Sequence, residues 1–128
     1  RLIAYHQLKR MLDTLTVQEM ENLFENLQAN LMHILEHETE DHLILNADGE
    51  TWMDSLQREG RSLEMQALFL SALDLMVELC DRYDYEHKEH YKKLLGLTEK
   101  KVQKEFLQDG YLIDNLENPR VTCNVFLA

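Results

Sequence analysis

The chain has 128 residues, 45% of them apolar, and carries 13 Lys and Arg against 24 Asp and Glu, for a formal net charge of −11. That length suits one domain with a real core. The acidic balance speaks against a nucleic-acid binder and against adhesion to an anionic membrane, while neutral substrates such as sugars stay open. The longest clean apolar stretch, Ala67-Leu68-Phe69-Leu70, falls far short of the roughly 20 residues of a membrane span. Two cysteines, Cys80 and Cys123, make no disulfide framework, so the cytoplasm is the expected compartment.

One Pro and four Gly leave little room for a turn-rich β-fold. Residues 2–12 read as a first helix, with Leu2, Tyr5, Leu8 and Leu12 spaced by three and four. Thr16 with Glu19 three residues on forms a capping box that opens a second helix. That helix repeats Val17, Met20, Phe24, Leu27, Leu31 and Ile34, with Glu21, Glu25 and Asn26 on the opposite face. One side of it is expected to be buried.

The period breaks over residues 38–60. His42-Leu43-Ile44-Leu45 suits a short strand or extended arm, and Asn46-Ala47-Asp48-Gly49 is turn chemistry. The segment holds Trp52, the chain's one Trp. It is longer than most connections, and such loops tend to be functional or disordered. Ser62 can cap the next helix, which runs to about Tyr83 and is apolar nearly all round, as helices inside a larger body are. Residues 86–95 and 98–107 predict two shorter helices about Gly96. Asp109-Gly110 reads as a turn, Tyr111-Leu112-Ile113 as a short extended run and residues 114–119 as a loop. A last helix is expected to begin near Val121.

The fold class expected is all-α, built of antiparallel helical hairpins. The chain opens at Arg1 and stops in the apolar run Val125-Phe126-Leu127-Ala128, which points to a piece of a longer protein. Neighbouring hairpins would then be missing, and self-association through the apolar helix is expected.

Several constellations read most simply as structural. His33 and His37 have a spacing that can bind metal, with Glu36 and His42 nearby, but lack the His-Glu-x-x-His order of zinc proteases. Histidines at a helix C-terminus suit the dipole, and no metal is assigned. His87 and His90 lie on a charged, solvated face. Cys80 is a small core residue, and Cys123 has no basic neighbour to activate it. No cofactor is implied. The remaining candidate is Asp48-Gly49-Glu50-Thr51-Trp52-Met53-Asp54, an aromatic plate beside carboxylates, as sugar-processing sites use. A buried Trp closing a loop is the competing reading.

This run, followed by Glu64-Met65-Gln66-Ala67-Leu68, resembles the glucosidase domain of glycogen-debranching enzymes. That family carries T-W-M-D, an Arg-containing loop and V-E-I-N-A-L at the start of a buried helix. Phe106 and Asp109-Gly110-Tyr111-Leu112-Ile113-Asp114 resemble its F-x-x-x-x-G-Y-L-x-D stretch, and Arg120, Asn124 and Ala128 its R-P-N-x-x-x-A element. Two departures stand out. Gln57-Arg58 replaces the family's Pro-Arg, and Gln66 replaces its Asn.

The resemblance implies that residues 1–128 are a fragment of one catalytic α/α toroid of six hairpins, with 38–60 as an active-site loop. It implies hydrolysis, with inversion, of the α-1,6-linked glucose left at a glycogen branch point. Asp54 becomes the general acid. Trp52, Asp48, Arg58, Arg61 and Glu64 are assigned to substrate binding, with either Arg matching the family's. The base, a Glu expected roughly 6.5–9.5 Å from the acid, would lie beyond Ala128, so the fragment alone should be inactive. The partner implied is a branched α-glucan. The alternative is a helical interaction module without chemistry.

Overall fold

The computed structural model describes residues 10–51, 58–83 and 85–122. The sequence-derived first helix lies partly outside this range, and its end is helical at 10–12. Three long helices follow: α1 (Val17–His37), α2 (Leu63–Tyr83) and α3 (Lys88–Phe106). Two short hairpins join them, β1 (Thr39–Glu40) with β2 (Leu43–Ile44) and β3 (Leu107–Gln108) with β4 (Tyr111–Leu112). The fold is all-α in class.

Helix α1 starts where the capping box places it. Thr16 Oγ1 accepts from the Glu19 N–H at 3.3 Å, and Glu19 Oε2 accepts from the Thr16 N–H at 2.8 Å. Met20, Phe24 and Leu31 are its buried stripe. They pack on α2 through Phe69, Leu73, Met76, Leu79 and Cys80, with Tyr91 and Leu94 of α3 completing the core. Phe24 stacks on Tyr85, ring centroids 3.9 Å apart and planes within 9°.

The helices alternate in direction. Leu63, opening α2, shares a second apolar cluster with Phe106, which closes α3. At the other end, Arg82 of α2 reaches back to Asp13, just before α1, with Nη1 2.6 Å from Oδ1. Antiparallel packing therefore gathers the irregular stretches 38–51, 58–62 and 107–120 at one end, around the N-terminus of α2.

Three expectations need correction. The two helices about Gly96 are one helix, α3. A helical Gly costs about 1 kcal/mol relative to Ala, less than the packing of Tyr91, Leu94, Thr98 and Phe106 on one continuous face. His42 lies in a turn rather than a strand. Asp41 and His42 both have positive, left-handed φ and form the two-residue loop between β1 and β2. Asp109 and Gly110 do the same between β3 and β4, as hairpin turns of this length require. The third concerns coverage of α2, whose apolar residues are largely covered within this chain. Leu68 and Tyr83 are its exposed large hydrophobics. Val121 and Thr122 are not helical, and the rest of the expected last helix lies outside the described residues.

Candidate functional site

The long loop leaves and rejoins the body through a backbone pair. Asn46 and Gly60 exchange two N–H···O bonds of 2.8 Å each, closing the base of the excursion. A second bridge ties Ser62 to Asn115, with Leu63 N–H donating to Asp114 O at 2.8 Å and Leu116 N–H to Arg61 O at 3.0 Å. Gly60 has a left-handed φ, where an L side chain is strained, and a Cβ there would collide with the Glu117 side chain. The backbone conformation is what requires the Gly, since the exposed Glu117 side chain could swing aside.

Arg58 is the centre of this assembly and only 1% exposed. Its Nε and Nη2 donate to the two carboxylate oxygens of Asp114 at 3.1 and 2.9 Å. Nη1 donates to Glu64 Oε1 at 2.7 Å and to Thr51 Oγ1 at 2.9 Å. Four of the five guanidinium N–H donors are thereby spent inside the protein. Its main chain is held as fully. The N–H donates to Asp48 Oδ1 at 3.3 Å, and the C=O accepts from Asn46 Nδ2 at 2.5 Å, Ser62 Oγ at 3.1 Å and Asn115 Nδ2 at 3.4 Å.

Burial works against the Arg58 charge, but the facing carboxylates of Glu64 and Asp114 outweigh it and hold the group above its ordinary pKa. Asp114 is fully buried, and Glu64, in the first turn of α2, also suits the positive end of that helix.

The residues assigned to substrate binding thus divide. Arg58 and Glu64 meet in the buried cluster, with exposed Asp48 joined to it through the Arg58 backbone. Arg61 stands apart and more open. Its Nη1 is 2.5 Å from Glu117 Oε1, its N–H donates to Glu117 Oε2 at 2.7 Å, and its Nη2 pairs with Glu40. Trp52 and Asp54 lie outside the described residues, as does Cys123.

Thr51 and Asp114 join the cluster although the sequence does not single them out as site residues. Asp114 ends the G-Y-L-x-D stretch, which is the one signal available, and nothing in the sequence pairs Thr51 with Arg58. The other candidates keep structural surroundings. Cys80 is buried in the core, and burial pushes its thiol upward. His33 and His37 are exposed on α1, ring centroids 4.8 Å apart. Among the described residues no group of three or more His, Cys, Asp or Glu is arranged to hold a metal ion, and no helix is long and apolar enough to cross a membrane.

Fold and site together define a helical domain that carries an acidic and aromatic loop braced at one end of its helices. The family model described as amylo-alpha-1,6-glucosidase matches residues 3–128, and the chain belongs to that family. It is a domain related to the glucosidases of glycogen debranching. No match was found among curated proteins or solved structures.

Proposed function

We propose that the chain supplies the acid-bearing part of an α-1,6-glucosidase domain that releases the single glucose left at a branch point of an α-glucan. The observation that carries this reading is the family match over residues 3–128, which spans the Thr51-Trp52-Met53-Asp54 motif. Asp54 protonates the glycosidic oxygen as the bond to the anomeric carbon breaks. Trp52 stacks on the apolar face of the glucose ring. Asp48 and Arg61 contribute to the sugar pocket, and Arg58 and Glu64 support it from within. The described geometry supports this division of labour, since Arg58 is enclosed while Asp48 and Arg61 reach solvent.

Inversion requires a second carboxylate that activates water on the opposite face of the ring. That base belongs to another segment of the domain, so residues 1–128 alone do not turn over. The helical pairs are part of an α/α toroid whose rim carries the loop. The cytoplasm, where glycogen is stored, is the compartment that fits such a substrate.

The test is Asp54→Asn in a protein carrying the complete domain, assayed for glucose release from an α-1,6-branched oligosaccharide. The variant should lose hydrolysis while keeping oligosaccharide binding, and the wild type should release β-glucose first. Full activity in Asp54→Asn rules out the assignment. Absence of both binding and hydrolysis in the wild type favours the interaction-module alternative.

A further inference from the structure

The Arg58 cluster does more than join two loops. Thr51 and Arg58 flank the six residues that contain Trp52 and Asp54, and a single guanidinium nitrogen, Nη1 of Arg58, bonds both Thr51 at one end and Glu64 on α2. The remaining side-chain contacts of Arg58 go to Asp114, which is itself fixed through its backbone. Asp114 O accepts from Leu63 N–H, and Asp114 N–H donates to Arg120 O, both at 2.8 Å. The spacing of the two ends of the motif is therefore set by a rigid partner on a different part of the chain.

A buried ion cluster of this kind is a poor source of stability, because desolvation offsets most of its Coulomb energy and apolar side chains of the same volume do as well. What it supplies is direction. A bidentate pair fixes the guanidinium plane, and a fixed plane fixes where Thr51 must be.

We propose that Asp114 and Thr51 are positioning residues. Through Arg58 they fix the two points, Thr51 and Arg58, between which the chain carries Trp52 and Asp54. The inference rests on the reading of Asp54 as the general acid. A misplacement of about 1 Å in such a group can cost on the order of a hundredfold in rate without weakening ground-state binding.

The experiment uses a protein containing the complete glucosidase domain and compares Thr51→Val, Thr51→Ser, Asp114→Asn and Asp54→Asn on an α-1,6-branched oligosaccharide. Thr51→Val is nearly isosteric but leaves one buried Arg58 N–H without its acceptor, so it should fold with a lowered melting temperature. Its kcat should fall about tenfold with KM changed less than about threefold. The alkaline limb of its pH profile, which reports the general acid, should also move. Thr51→Ser keeps the acceptor and should stay within about twofold of wild type. Asp114→Asn should lower kcat at least as far as Thr51→Val, and if it does not fold, Thr51→Val decides. A folded Thr51→Val with wild-type kcat and an unmoved alkaline limb overturns the positioning role while leaving Asp54 as the acid. Activity in Asp54→Asn overturns the underlying reading, and this inference with it.

Discussion

The Gln66 carboxamide is bonded to both main-chain polar groups of Ile44, accepting from its N–H and donating to its C=O, each at 2.8 Å. Ile44 pairs with Thr39 across the first hairpin, one step beyond the Glu40–Leu43 pair that flanks the two-residue turn. At that position of an antiparallel ladder the N–H and C=O point away from the partner strand. Gln66, on the first turns of α2, takes the place a third strand would have had.

Gln66→Ala should therefore cost about 2–6 kcal/mol, since it strands two buried backbone groups at about 1–3 kcal/mol each. Gln66→Asn should behave nearly as badly. It restores the residue that the resembling motif carries but is one methylene too short for Ile44 in this chain. Urea unfolding of the three proteins measures both effects, and an Asn variant as stable as wild type would show that Gln66 is not chosen for its reach.

Gly96→Ala should stabilise the protein by about 0.5–1 kcal/mol. The position is inside α3, its backbone is not left-handed, and an added Cβ meets nothing within 4 Å. A higher midpoint of thermal unfolding is the expected result. A lower one would mean that α3 bends or breaks at Gly96 in solution.

Tyr91 gives the protein an alkaline limit. It is 4% exposed, and burial raises its phenol above the ordinary value near 10, outweighing the hydrogen bond with Gln28 that pulls it down. The folded state thus keeps its proton at a pH where the unfolded chain releases it. The stability this represents is whole below about pH 10 and is lost as pH rises beyond it. Tyr91→Phe should be less stable than wild type at neutral pH, having lost the Gln28 bond, and the gap should narrow above about pH 10. Urea midpoints measured from neutral to strongly alkaline pH check the sign; a constant gap would contradict it.

The sequence determined what depends on near neighbours. The Thr16–Glu19 box set the start of α1, the 3.6-residue repeat set its buried face from Met20 onward while leaving Val17 exposed, and Asp109-Gly110 marked a turn, because each rests on near neighbours. The Asp41-His42 turn was not legible, since neither residue demands a left-handed backbone and the hairpin geometry imposes it. Gly96 misleads for the converse reason: its local cost is real but smaller than the packing of one long helix. The loop motif and its two arginines are also visible in the sequence, but not the different surroundings of those arginines. Arg58 is enclosed because Asp114 is brought to it across 56 residues, whereas Arg61, three positions on, faces outward to Glu117 and Glu40. The desolvation that makes one guanidinium a fixed strut and leaves the other open to solvent exists only once α2 and α3 have packed and drawn the two connecting segments together.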